Sequence, residues 1–195
     1  MAQALGVPST LVEFPNNAEA LAAVQAGTAD LVFTNATPAR AQVMDFSPGV
    51  LVVEQGFLVP GQSPLQSASD VDRAGIRIGA ARGSTSEREV SRHVKAATVV
   101  AVPTLKDAAR MLADGSLDAF ATNKAILHEL ADGVPGARVL PGAYGRETFA
   151  LGIPRGREAG LPWLGRFVAG ARADGTVERA VERAGLRGTS LVVSK

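Results

Sequence analysis

Three times in this chain an apolar run gives way to a short polar turn that ends on a residue able to cap a helix. Residues 31–33 lead to Thr37, residues 76–80 to Ser84, and residues 117–121 to Asn123. A strand that feeds a helix through such a turn is the repeating unit of α/β layers, so this punctuation predicts an α/β fold with mainly parallel sheets. In open α/β sheets ligands bind beyond the carboxyl ends of the strands, where these turns lie. Helix N-termini at that edge offer N–H groups and a positive dipole end, which suits an anion.

The remaining pattern fits the same alternation. Residues 1–8 read as the end of a helix, with Gly6 as C-cap and Pro8 as the stop, so the chain looks as though it opens partway through an element. Residues 9–14 are strand-like. Asn16-Asn17-Ala18-Glu19 has the form of a capping box and opens a helix running to about Ala26. Residues 50–60 read as one long strand with Gly56 inside. Ser67 caps a short helix, Ser84-Thr85-Ser86-Glu87 is a second capping box, and Thr104 opens a helix that ends near Gly115. Strands are expected at residues 97–102, 137–140 and 147–154, helices at 158–173 and 176–184, and a strand-like tail at Leu191-Val192-Val193. Trp163 reads as a core residue.

Composition narrows the function. A length of 195 residues suits one large domain or two small lobes. A formal net charge of +1 gives no electrostatic case for nucleic acid or an anionic membrane. With no cysteine, disulfides, thiolate metal sites and thiol catalysis are excluded. No apolar run is long enough to span a bilayer, and the first residues lack the pattern of a signal peptide. The segment Gly79-Ala80-Ala81-Arg82-Gly83-Ser84-Thr85 lacks the lysine and spacing of a phosphate loop, which argues against nucleotide binding. His93 and His128 are far apart in helical patterns and read as surface residues, so no metal and no cofactor are expected. The arginines after Arg155 alternate with Glu178 and Glu182 as a solvated helical face.

The chemistry concentrates at the first two turns. In Thr34-Asn35-Ala36-Thr37-Pro38-Ala39-Arg40, Thr37 suits the N-cap and Pro38 the first helical position. Arg40 then falls near the positive end of a helix dipole, the wrong end for a cation unless an anion joins it. Its planar fork matches a carboxylate in bidentate geometry. At the second turn Gly83 would let a ligand approach the backbone closely, with Ser84 and Thr85 adding hydroxyls. Arg82 beside them would either select an acidic ligand side chain or point to solvent.

These residues, with others in fixed order, resemble the bacterial solute-binding proteins that serve amino-acid ABC importers. Thr37-Pro38-Ala39-Arg40 is similar to that family's Thr-x-x-Arg motif, and Asp45-Phe46-Ser47 to the Asp-Phe-Ser that follows it. Gly83-Ser84-Thr85 resembles its second-lobe turn, Asp118-Ala119-Phe120 its Asp-Ala strand, and Ala173-Asp174-Gly175-Thr176 its late Ala-Asp-Gly-Thr turn. The resemblance implies a two-lobe, type II periplasmic-binding-protein-like fold. Residues 1–55 and 150–195 would form lobe 1 and residues 61–145 lobe 2, with hinge strands at about 50–60 and 146–154. Lobe 1 would lack the family's first strand and helix, a gap to be filled by a homo-oligomer, strand exchange or rearranged elements.

The resemblance also implies a periplasmic or extracytoplasmic location and a membrane permease as partner. Arg40 and Thr85 would hold the ligand carboxylate, with Thr34, Asn35, Thr37, Gly83 and Ser84 around it. Asn123 stands where an aspartate usually binds the ligand ammonium. The ligand would therefore be a carboxylate without an amine, or an amino acid whose ammonium is held by another acid such as Glu147. The enzymatic alternative is a cyclohexadienyl-dehydratase-like protein of the same fold, with Glu147 or Glu87 as its acid; a third is a relative that binds no ligand.

Overall fold

The computed structural model describes residues 1–14 and 17–192. The chain divides into two compact units. Unit 1 comprises residues 1–52, 148–184 and 191–195, and unit 2 comprises residues 53–147 and 185–190. Strands β3 (Leu51–Val59) and β8 (Gly145–Pro154) each begin in one unit and end in the other.

Unit 2 shows how a period of two becomes a packed layer. Its parallel strands β4 (Arg77–Ala81), β5 (Thr98–Val102) and β6 (Ala119–Asn123) lie in the order β5-β4-β6, and β3 pairs antiparallel with β6. Alternate side chains point to opposite faces. Phe57, Val59, Ile78, Ala80, Ala119 and Ala121 join one core with Val90 of helix α4 (Thr85–His93). Leu58 and Phe120 join the other, with Leu112 of α5 (Leu105–Ala113) and Leu127 of α6 (Lys124–Gly133). Fully burying a side chain of that size contributes about 1.5–3 kcal/mol. Gly79 faces the second core, where a Cβ would come within 2.4 Å of Leu117 Cδ1 and 3.0 Å of Val102 Cγ2.

Unit 1 is organised around β8 instead. Strands β1 (Val32–Asn35) and β2 (Met44–Phe46) both pair with it antiparallel, and Gly152 is opposite Val32 on one side and Phe46 on the other. Two strands in the same direction are thus separated by a third running against them. This corrects the expectation of mainly parallel sheets: the parallel pairings described are those of β5-β4-β6. Met44, Asp45 and Phe46 form β2, which periodicity did not reveal. Ser47 then clamps the strand end, its N–H donating to Leu151 O at 2.9 Å while its hydroxyl accepts from Leu151 N–H at 3.1 Å. Met44 and Ala150 are fully buried here, with Val24 of α2 (Asn17–Gln25) and Leu164 and Val168 of α7 (Leu161–Ala173).

Other expectations shift. The opening helix end is present as α1 (Ala2–Leu5), with Gly6 left-handed at φ 66°. Residues 9–14 form no strand, and Leu11 is 90% exposed, because no neighbouring strand pairs with them. Trp163 is half-buried and stacks on Phe167 rather than filling the core. The short strand β7 is Arg138–Val139, and the tail strand β9 is Thr189–Leu191, ending before Val192. Helix α8 is Thr176–Arg183. The proposed cap Asn16 and residue Val193 lie outside the described residues.

Candidate functional site

The turn after β1 is assembled from side chains of its own strand. Thr34 and Asn35 are buried at its carboxyl end. Arg40 Nη1 donates to Thr34 Oγ1 at 2.5 Å and to Asn35 O at 3.2 Å, and the Thr34 hydroxyl donates onward to Asn35 Oδ1 at 3.3 Å. Thr37 caps as expected, its Oγ1 accepting from Arg40 N–H at 3.3 Å, with Pro38 in the first helical position. The helix itself, α3 (Pro38–Ala41), is a single turn. That corrects the dipole argument: one turn has no macrodipole of consequence, and Arg40 is nearer its end than its start. What fixes the guanidinium is the hydroxyl and carbonyl of the strand it follows.

The turn after β4 belongs to unit 2. Ser84 caps α4, accepting from Glu87 N–H at 3.0 Å. Glu87 does not close the expected capping box; its carboxylate accepts from Gly83 N–H at 2.6 Å, one residue earlier. That bond draws the turn tight and commits the acid considered for catalysis. Gly83 has φ 71°, and within the chain a Cβ there would meet nothing within 4 Å. The glycine is therefore required by its left-handed backbone rather than by close approach. Thr85 occupies the first helical position and is half-buried, while Arg82 is exposed.

At the third turn Asn123 is half-buried, and its Oδ1 accepts from Ile126 N–H at 3.1 Å to cap α6. The next residue, Lys124, places Nζ 2.6 Å from Glu54 Oε2, and Arg146 lies 3.4 Å from the other oxygen. The hydrogen bond from Lys124 and then its charge hold the Glu54 carboxyl below its ordinary range. Glu147 is half-buried in β8.

Unit 2 also holds polar residues that the sequence reading passed over. Gln55, Ser86 and Thr122 are buried. Tyr144 donates to Gln55 Oε1 at 2.5 Å, and Ser86 Oγ lies 3.3 Å from Thr122 Oγ1. Burial pushes the Tyr144 phenol well above its ordinary value, so it is a neutral donor at physiological pH. The available signal was polarity inside an apolar run, as at Gln55 in Leu51-Val52-Val53-Glu54-Gln55-Gly56-Phe57. A groove of about 200 Å³ between α5 and α6 is lined mainly by apolar side chains such as Leu105, Ile126 and Leu130, and offers nothing to a carboxylate. Among the described residues no cluster of three or more acids or histidines could hold a metal, and no helix is long and apolar enough to cross a membrane.

The chain is 28% identical over 116 residues to the glutamine-binding protein of Geobacillus stearothermophilus, covering 60% of this chain and 44% of that one. It is 23% identical over 147 residues to an ABC transporter glutamine-binding protein of Bacillus subtilis, covering 75% and 54%. It thus spans about half the length of the curated relatives it matches. Among solved structures, a putative ABC-transporter binding component of Wolinella succinogenes, complexed with lysine, superposes with a TM-score of 0.81 at 22% identity. That match covers 93% of this chain and 80% of the other. An arginine-bound amino-acid ABC transporter substrate-binding protein of Streptococcus pneumoniae gives 0.78 at 22% identity, covering 94% and 78%. The family model of the bacterial extracellular solute-binding proteins, family 3, matches residues 1–185, and the chain belongs to that family.

Proposed function

We propose that this chain captures a small carboxylate-bearing solute, an amino acid or a related organic acid, for an ABC importer, outside the cytoplasm and without catalysing a reaction. The relatives' names support the class of activity, since the two curated matches are glutamine-binding proteins. In this reading the units are the two lobes of a type II binding protein, and β3 and β8 are its hinge strands.

The observation that carries the proposal is the anchoring of Arg40 by Thr34 Oγ1 and Asn35 O, which fixes a permanently charged fork at a strand's carboxyl end. Arg40 would bind the ligand carboxylate, and the Gly83-Ser84-Thr85 turn would contribute N–H and hydroxyl groups. The partner for delivery would be a membrane permease. A second copy covering Leu11, Val12 and Phe33 of unit 1 is part of the same reading, and light scattering tests it. Removing Arg40 tests the core of it. Arg40→Ala should weaken carboxylate binding by about 1.5–3 kcal/mol, the worth of a hydrogen bond to a charged group, or roughly ten- to a hundredfold. Unchanged calorimetric affinity would refute the assignment.

A further inference from the structure

A helix of one turn makes too few internal bonds to hold its own shape, and its last carbonyls need partners from outside it. In α3 the chain leaving the turn supplies two of them. Gln42 N–H donates to Ala39 O at 3.4 Å, and Val43 N–H to Arg40 O at 3.0 Å. Ala41 O, the final carbonyl of α3, is taken instead by a side chain from far along the sequence: Arg155 Nη2 donates to it at 2.6 Å.

The register of unit 1 explains that reach. Strand β2 lies antiparallel against the end of β8, with Met44 opposite Pro154 and Asp45 opposite Ile153. Arg155 is the next residue after β8, so it emerges beside the chain that joins α3 to β2. Its Nε lies 3.9 Å from Asp45 Oδ1. Asp45 Oδ2 is buried with no hydrogen-bond partner among the described residues, so the Arg155 guanidinium is the cation that offsets this carboxylate. Two residues on, Arg157 pairs with Asp30, just ahead of β1. That pair is exposed and contributes little; Arg155 is the stronger hold.

We propose that Arg155 is a positioning residue for carboxylate capture. Thr34 and Asn35 hold the tip of the Arg40 side chain, while Arg155, oriented by Asp45, holds the backbone from which it springs. The inference rests on the carboxylate-binding reading above and names a residue on which that binding depends.

Calorimetric titration of the whole chain with L-glutamine, L-glutamate, L-lysine and L-arginine tests it. Arg155→Ala should weaken the best-bound probe about three- to tenfold, the range that one lost hydrogen bond spans. In an Arg40→Ala background the same change should cost less than about twofold, because the group it positions is gone. With no ligand added, NMR relaxation should show the Arg40 Nε–H loosened by Arg155→Ala, while the Nε–H of Arg172 in the same unit keeps its motion. If Arg155→Ala folds poorly, Asp45→Asn keeps the shape and removes the orienting charge. It should move affinity and Arg40 motion in the same directions, with an affinity loss of about twofold. A lowered melting temperature with affinity and Arg40 motion unchanged would make Arg155 a structural residue only and leave the carboxylate reading standing. An equal affinity loss in the Arg40→Ala background would do the same. Full affinity in Arg40→Ala, or binding of no probe, would overturn both.

Discussion

The turn after β1 in unit 1 and the turn after β6 in unit 2 are written alike, as a strand, polar residues and a cap, yet they spend their side chains differently. In unit 1 the helix is one turn long, and Thr34, Asn35 and Arg40 are bonded to one another. In unit 2 the helix is ten residues long, and the Asn123 carbonyl is committed to starting it. A long helix claims its capping residue for structure; a single turn has little to claim, and its polar residues can be arranged around a cation. The capping pattern alone therefore does not mark a binding residue.

The contrast extends to packing, where it can be broken most forcefully. Gly79→Ala in unit 2 drives a Cβ to 2.4 Å from Leu117 Cδ1 inside a closed core, and should cost about 1–3 kcal/mol in urea unfolding. Gly152→Ala in unit 1 meets Met44 Sδ at 3.0 Å and Phe46 Cε1 at 3.1 Å, and Met44 can shift its flexible end. It should cost less. An equal or larger loss would show that the antiparallel core around β8 is as rigid as the parallel one.

Capping gives the next largest effect. Ser84→Ala should destabilise by about 1 kcal/mol, because α4 is nine residues long and loses a 3.0 Å cap bond. Thr37→Ala removes a 3.3 Å bond from a single turn and should cost only a few tenths of that. Matched thermal melts sharpen the comparison, and a larger loss at Thr37 would reverse it.

The smallest effect is electrostatic. Hydrogen bonding from Arg77 holds the Asp118 carboxyl below its ordinary range. A depressed acid stabilises the fold above its unfolded pKa and loses that contribution as pH falls through the folded value. The pair is partly exposed, so Asp118→Asn should cost at most about 1 kcal/mol at pH 7. The gap to wild type should shrink below pH about 4. A gap that stays constant down to pH 2 would remove the ion pair as its cause.

Much of this was legible in the chain. The caps at Thr37, Ser84, Thr104 and Asn123 are local, because the side chain reaches an N–H three residues on. Pairing partners were not. Whether β1 lies beside a parallel or antiparallel neighbour depends on β8, more than a hundred residues away, and nothing in residues 31–35 encodes it. The strand-like pattern at residues 9–14 had the right alternation but no edge to join. At the site, Arg40 was visible as an oddly placed charge, although the reason for its placement is the buried Thr34 hydroxyl and not a dipole. Gln55 and Tyr144 meet across eighty-nine positions, which no local pattern reports.

The chain contains one tryptophan and one tyrosine. Trp163 stacks on Phe167 in unit 1, and Tyr144 is held against Gln55 and Phe57 in unit 2. Each unit therefore carries its own intrinsic chromophore. Excitation at the red edge reads unit 1 alone, while the ultraviolet ionisation band of the phenol reads unit 2 alone. Unfolding of unit 1 can be followed at Trp163, and alkaline titration of unit 2 at Tyr144, without attaching a dye.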